Sequence, residues 1–412
     1  MPVNTQSANR DAITARLAAI DRNDPEYAPQ VVDELLAAAS QLDVTDVHLQ
    51  STGEGLDCRW RVDGVLQHVA LLPQEAAVSV IARLKVLADL LTYRTDTPQE
   101  GRIRPSGSDL EMRLSTMPTL HGEKAVIRLF AGEGRYRLLE ELGLPATIAG
   151  QVADLLDATS GALLVTGPAG SGKTTTAYAC LRHLAERTAG ARSLVSLEDP
   201  VEVEIPGVAQ SQVKDAAGFD LATGLRYLLR QDPEVILVGE IRDPATARTC
   251  FQAALTGHLV LSTFHAGSAA EAVERLLDMN LEPYSIRSGL LAVVSQRLVR
   301  RLCACAQRSD APEARLGFDI DDACLPVGCD ACAGTGYRGR FPIAEMLTLA
   351  QAEVGRAILA RAEAAQLERL AIAQGMHNRW QSARDAVASG HTTAAEIRRV
   401  LGLARAAEDR TG

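Results

Sequence analysis

Aromatic residues make up only 4% of this 412-residue chain, although 47% of it is apolar, so its cores must be filled with Ala, Leu and Val. No apolar run approaches the roughly 18 residues that cross a bilayer, so no membrane span is expected. The opening stretch Met1–Arg10 is polar and lacks the apolar centre of a signal peptide, and a cytoplasmic location follows. Positive charge is also short: 42 Lys and Arg stand against 52 Asp and Glu, a net −10. That balance, with no basic run interleaved with aromatics, argues against nucleic acid as a partner. Cysteine is sparse, and five of the eight cysteines fall between Cys303 and Cys332. Such crowding suggests metal binding in a reducing compartment rather than a disulfide framework.

What is present centres on Gly167-Pro168-Ala169-Gly170-Ser171-Gly172-Lys173-Thr174, a G-x-x-x-x-G-K-[ST] phosphate loop. An apolar β-like run, Ala162–Thr166, precedes it, and a helix-period stretch from Thr175 to about Glu186 follows. A triphosphate must be held without bulky side chains in the way. Gly167, Gly170, Ser171 and Gly172 can turn their backbone N–H groups inward, and the helix start through Thr175 adds its free N–H groups and dipole. Lys173 neutralises β/γ-phosphate charge, and the Thr174 hydroxyl serves as a Mg²⁺ ligand. By average residue usage, a chance match in a chain this long has a probability on the order of 1%. ATP and Mg²⁺ are therefore expected.

Around this loop the chain reads as an α/β protein. Residues 1–30 form an extension, and 31–133 a small α+β domain. The latter has a helix over Val31–Leu42, strands at 46–49, 58–62 and 65–66, a helix over Ala76–Leu91, and strands at 110–115 and 124–130. Asp63-Gly64 marks a tight hairpin. Residues 134–143 read as a linker. Over 144–300, strands at 162–166, 193–197, 235–239 and 259–263 alternate with helical patterns at 173–186, 221–230, 244–255 and 269–278. That rhythm predicts a parallel sheet covered by helices. A cysteine segment (301–340) and a helical C-terminal region (341–412, its helices from about Gln351) complete the chain.

Hydrolysis needs a held metal, an aligned water and positive charge at the leaving oxygens. Val235–Asp243 is a buried strand ending in Glu240, which can hold a metal-bound water or take a proton. In Glu198-Asp199-Pro200-Val201-Glu202, three carboxylates in five residues repel one another unless a cation or solvent compensates. Glu198 is thus a candidate general base or outer-shell Mg²⁺ partner, with solvated loop charges as the bland alternative. His265, just past the strand at 259–263, can donate to the γ-phosphate and report its loss. His258, ahead of that strand, is worse placed.

The phosphate loop, Glu198–Glu202, Gly239–Asp243 and Thr256-Gly257-His258…Ser262-Thr263-Phe264-His265, in this order, resemble the secretion ATPase superfamily, and more closely its type II secretion and type IV pilus assembly ATPases. The likeness runs over roughly 31–350. It takes in Asp46-Val47-His48, Arg61–Val65, Pro98–Ile103, Met117–Lys124, Arg230–Glu234 and Gly334–Gly339. It implies a RecA-like ATPase domain, a smaller PAS-like N-terminal domain that clamps over the nucleotide, and a homo-hexameric ring. Lys173, Thr174, Glu198, Glu240 and His265 would serve the nucleotide, and Arg113 and Arg128 would reach the γ-phosphate from the clamp domain. Both arginines lie on the strand face opposite Met112/Leu114 and Ile127/Leu129.

The implied role is a cytoplasmic motor, peripheral at the inner membrane, that assembles a pilus or pseudopilus through an inner-membrane platform protein and a cytoplasmic docking subunit. A retraction motor and a nucleic-acid translocase on the same core are the alternatives. Cys329-Asp330-Ala331-Cys332 has the gap of a zinc knuckle, which these relatives pair with a second C-x-x-C. Here the other pair is Cys303-Ala304-Cys305, one residue tighter, with Cys324 as a substitute ligand; structural zinc on four thiolates is expected. The relatives' His-Thr-Asn is His265-Ala266-Gly267 here, so polar contacts are expected to be lost there. The chain also opens close to the clamp domain, so most of the N-terminal docking domain of many relatives is expected to be missing.

Overall fold

A computed structural model describes residues 7–42, 44–104, 112–129, 138–214, 218–349 and 352–402. The first six residues of the expected extension, 110–111 and 130 of the expected strands, 134–137 of the expected linker, and 350–351 and 403–412 of the expected C-terminal region lie outside the described residues. Two compact units emerge: residues 1–135 with 302–307 and 325–339, and residues 136–301 with 308–324 and 340–412.

The first unit carries helices α1 (Ser7–Ala19), α2 (Tyr27–Gln41) and α3 (Ala76–Leu87) and six strands: β1 (Val44–Ser51), β2 (Leu56–Val62), β3 (Val65–Leu72), β4 (Gln99–Ile103), β5 (Met112–Thr119) and β6 (Gly122–Leu129). They form one antiparallel sheet in the order β3-β2-β1-β6-β5-β4. Period-two alternation sends Val47, Leu49, Cys58, Trp60, Leu114 and Ile127 to one face, where they share a core with Val31, Leu35, Val80 and Leu84 of the helices. Asp63 and Gly64 both take positive φ, 49° and 80°, and make the β2–β3 hairpin the sequence predicts. The α3 pattern reads on to Leu91, but the helix stops at Leu87, because Asp89 turns left-handed at φ 55°. Strand β4 escapes the sequence reading: it is short and polar. Gly101 within it passes so close to α3 that an added Cβ would lie 2.5 Å from the Ala88 carbonyl.

The second unit is built on β7 (Gly161–Thr166), β8 (Leu194–Glu198), β9 (Ala209–Gln212), β10 (Val235–Glu240), β11 (Leu259–Phe264) and β12 (Leu290–Leu302). Short strands β13 (Gln307–Ser309) and β14 (Ala323–Leu325) follow, then β15 (Tyr337–Thr348). The main sheet runs β15-β12-β7-β11-β10-β8-β9, and the pairs β12–β7, β7–β11, β11–β10, β10–β8 and β8–β9 are parallel. Every residue of β7 is buried, as a strand covered on both faces requires.

One face packs on α6 (Leu221–Leu228), α7 (Pro244–Leu255), α8 (Ala269–Asp278) and α9 (Pro283–Gly289), through side chains such as Phe251, Leu276 and Ile286. The other packs on α4 (Ala146–Leu155) and α5 (Lys173–Thr188), through Val152, Leu181 and Leu184. Burying each such side chain contributes about 1.5–3 kcal/mol. A one-turn helix α10 (Pro312–Arg315) precedes the C-terminal set: α11 (Ala352–Leu359), α12 (Ala364–Ala373), α13 (Arg379–Ala388) and α14 (Ala394–Leu401). Phe341 and Ile343 of β15 meet Val387 and Ile397 of α13 and α14 in a separate core. The tail helices therefore open where their spacing predicts, while Tyr337–Thr348 ahead of them is a strand rather than part of a helical region. Its alternation is hidden because Phe341 to Leu347 are all buried.

Candidate nucleotide site

Strands β7, β8, β10 and β11 are parallel and adjacent, so Thr166, Glu198, Glu240 and Phe264 end at one edge of the sheet. Ligands of open α/β sheets bind at this carboxyl edge. The phosphate loop leaves β7 and turns into α5 with Gly167, Gly170 and Gly172 at φ 151°, 73° and 85°. A Cβ on Gly167 would meet Ser171 Oγ and the Gln296 carbonyl, both at 2.5 Å, so the loop lies tight against β12. Lys173 is buried and donates to the Gly167 and Pro168 carbonyls at 3.0 and 3.1 Å. Burial lowers its ammonium pKa; Glu240 opposes that shift and Arg297 adds to it. Ser171 Oγ is buried with no hydrogen-bond partner among the described residues, and Thr174 stands half-buried in the first turn of α5.

Glu240 reaches the same edge through an irregularity: β10 and β11 keep step to Val238↔Ser262, then resume at Glu240↔Thr263. The skipped residue, Gly239, accepts a hydrogen bond from Thr263 Oγ1 at 2.7 Å. Such a bulge re-aims the next side chain. Glu240 Oε1 lies 3.0 Å from His265 Nε2, and Oε2 takes the Arg242 guanidinium at 3.1 Å. Arg242 also reaches Asp199 at 3.3 Å. His258 bonds the Ala253 carbonyl at the other end of β11.

The acidic cluster of 198–202 divides. Asp199 and Glu202 are exposed, whereas Glu198 is 2% exposed and fully engaged. Its Oε1 accepts from Ser196 Oγ at 2.6 Å and Gln210 Nε2 at 3.1 Å, and its Oε2 accepts from Tyr178 OH. These donors compensate the buried charge, so Glu198 is neither a solvated loop acid nor, in this arrangement, open to water.

Tyr178, Gln210 and the Gln296-Arg297 pair are site residues that the sequence reading missed. Gln296, 2% exposed, donates to the Ser171 carbonyl at 2.8 Å and accepts from Thr176 Oγ1 at 3.0 Å. The available signal was a glutamine inside the apolar run of β12.

In the first unit, Arg113 of β5 stands directly opposite Arg128 of β6, and Arg128 opposite Asp46 of β1. Met112, Leu114 and Ile127 beside them are buried, while Arg128 is exposed. Both arginines thus occupy the face expected of them.

The cysteines assemble within the first unit. Ligand atoms of Cys303, Cys305, Cys329 and Cys332 all lie within 4.8 Å of one another. The sulfur pairs 303–329, 305–332 and 329–332 are 3.8, 3.9 and 3.8 Å apart. A tetrahedron with Zn–S bonds of ~2.3 Å has edges of about 3.8 Å, so the four sulfurs fit zinc despite the tighter C-x-C bite. Burial pushes the Cys332 thiol up, but the N–H groups of Cys329 and Gly336, each 3.1 Å from its sulfur, together with the thiols of Cys329 and Cys305, outweigh this and bring it to about 7. Cys324 takes no part: it is buried in the second unit against Gly390.

The model of the family described as Type II/IV secretion system protein matches residues 21–399. The chain is 37% identical to the type IV pilus assembly ATPase PilB of Thermus thermophilus over 91% of its own length, although that match spans only 43% of the Thermus protein. It is 38% identical to the type II secretion system protein HxcR of Pseudomonas aeruginosa, over 92% of this chain and 79% of the relative. With type II secretion system protein E of Klebsiella pneumoniae the identity is 41%, over 80% and 67%. Among solved structures, the Legionella pneumophila ATPase DotB superposes with a TM-score of 0.68 at 21% identity, covering 92% of this chain and 97% of that one. The pilus retraction motor PilT with bound ADP gives 0.59 at 22%, covering 89% and 95%. The fold is that of the secretion ATPases, and the chain belongs to the Type II/IV secretion system protein family.

Proposed function

We propose that this chain is the ATP-hydrolysing subunit of a hexameric ring that drives assembly of a type II secretion pseudopilus or a type IV pilus. It would work at the cytoplasmic side of the inner membrane, through a platform protein and a docking subunit. The observation that carries the reading is the Glu240–His265 contact at the sheet edge that also bears Lys173. A carboxylate able to hold water and an imidazole able to sense phosphate stand together there.

The phosphates are taken by the backbone N–H groups of 170–175 and by Lys173, which exchanges its loop carbonyls for phosphate oxygens. The Thr174 hydroxyl, Glu240 and Asp199 offer the hard oxygen donors that suit Mg²⁺. Mg²⁺ held by these residues would supply positive charge against that of the phosphates. Glu240 orients the attacking water and accepts its proton; His265 donates to the γ-phosphate and, through Glu240, registers its departure. Glu198 holds the far side of the site and is freed for water only if Tyr178 moves. Arg113 and Arg128 are the candidates to supply positive charge at the γ-phosphate.

Lys173→Ala should abolish MgATP turnover, with the purified ring sized by light scattering in parallel. Wild-type-like hydrolysis by that variant removes the phosphate-loop assignment. If the purified ring hydrolyses MgATP yet inactivating its gene leaves pilus and pseudopilus assembly intact, the assembly role is removed.

A further inference from the structure

The turn after β11 is held more firmly than a loop needs to be. Each of its four successive carbonyls is taken by a side chain from elsewhere in the second unit. Thr166 Oγ1, one residue ahead of the phosphate loop, donates to the Phe264 carbonyl at 3.0 Å and to that of Ala266 at 3.4 Å. Arg275 donates to the His265 carbonyl. The Gly267 carbonyl receives two guanidinium groups, Arg297 Nη2 at 2.8 Å and Arg379 Nη1 at 3.0 Å. On its other side, the Gly267 N–H donates to Glu271 Oε2 at 2.7 Å, and that oxygen lies 2.3 Å from where a Cβ would stand. Ala266 and Gly267 bring no polar side chain of their own, and it is the turn's backbone groups that the other residues hold.

Arg297 and Arg379 come from different elements, β12 and α13. Arg297 follows Gln296, which bonds the phosphate loop, and it is close enough to Lys173 to lower the lysine's pKa. Arg379 opens α13. Its backbone N–H donates to Glu345 Oε2 at 3.0 Å, while Oε1 accepts from Ala269 N at 2.8 Å at the start of α8. Glu345 is 1% exposed, so its charge depends on these partners.

We propose that Arg297 and Arg379 are positioning residues for hydrolysis: meeting on the Gly267 carbonyl, they fix the turn that aims His265 at Glu240, and so make the C-terminal helix α13 part of the nucleotide site. The proposal rests on the reading of that site given above. A turn fixed at four carbonyls keeps His265 within hydrogen-bond reach of Glu240, and releasing one anchor lets the imidazole drift. Displacements of about 1 Å in such groups cost up to ~100-fold in rate.

The test uses the full chain with Arg379→Ala and Arg379→Lys. MgATP turnover, MgADP binding by calorimetry, thermal melting and amide exchange of 264–268 without nucleotide are measured for each. For Arg379→Ala we expect kcat to fall ~10- to 100-fold, with KM and MgADP affinity within about two-fold, and faster exchange at His265–Gly267. The lysine variant, which keeps the charge, should recover part of the rate. A folded Arg379→Ala protein with kcat within about two-fold of wild type, or with unchanged exchange at the turn, overturns the proposal. A lowered melting temperature with unaltered kcat assigns Arg379 to packing alone and overturns it equally. Normal turnover by Lys173→Ala would instead sink the site reading, whatever Arg379 does.

Discussion

Asp46 faces Arg128 directly across the β1–β6 pair, with its Oδ1 3.0 Å from the guanidinium Nε. Its other oxygen lies 3.5 Å from Arg61, its partner across β1–β2. The row continues through Arg113 to Arg102, so one aspartate stands in line with four arginines over five strands. Like charges directly opposite one another destabilise a sheet unless other partners compensate them. Arg128 is 66% exposed, so its pairing with Asp46 is worth at most ~1 kcal/mol. Arg128→Ala should therefore barely shift the melting temperature. If Arg128 reaches the γ-phosphate, the same variant loses ~10³-fold in kcat while MgADP affinity holds. Normal turnover would return Arg128 to the role of a surface charge.

Glu240 and His265 touch at 3.0 Å and are assigned to one event, so their losses should not add. Glu240→Gln is expected to reduce kcat by ~10²-fold or more, and His265→Ala by a comparable amount. The double variant should be little worse than Glu240→Gln alone, as groups acting as a unit behave. Fully additive losses would show that the two residues work independently.

The phosphate loop, the Glu240 strand and His265 were legible because each needs a fixed residue type at a fixed place on a strand–loop–helix unit. The same holds for the Asp63-Gly64 turn and the paired cysteines, whose chemistry is local. What stayed hidden is set by tertiary packing. The bulge at Gly239 that turns Glu240 toward His265 has no sequence mark beyond a glycine. Tyr178 reads as an ordinary helix residue until α5 is laid across the sheet, which brings its hydroxyl to Glu198. Arg379 is more than a hundred residues from Gly267, and only the sheet and its C-terminal helices bring them together. Strand β15 was missed because its buried run removes the alternation by which strands are recognised.

The cysteine cluster should hold about one zinc per chain, since four thiolates leave no open position. Elemental analysis after extensive dialysis checks the stoichiometry. Cys305→Ser should weaken retention of the metal, whereas Cys324→Ser should leave it unchanged, because Cys324 lies in the other unit. Equal loss in both variants would mean that the sulfurs of 303, 305, 329 and 332 are not the ligand set. Chelation should loosen 302–307 and 325–339 before the second unit, since binding energy at such sites is folding energy.

Glu396 on α14 is buried between Arg300 and Arg399, with contacts of 2.7 and 2.6 Å. Burial pushes its pKa up, but hydrogen bonds from Arg399 and Arg300 outweigh this and hold the carboxyl below its ordinary 4.5. A depressed folded-state value means that the unfolded chain binds the proton more readily. The stabilisation is therefore complete above pH 4.5 and drains away as pH falls through the folded-state value. Glu396→Gln leaves two guanidinium groups without their carboxylate and should cost about 3 kcal/mol at neutral pH. In urea melts that gap should persist down to pH 5 and narrow below 4.5. A gap that stays constant into the acid range would show that shape at position 396, rather than charge, holds α14 to β12.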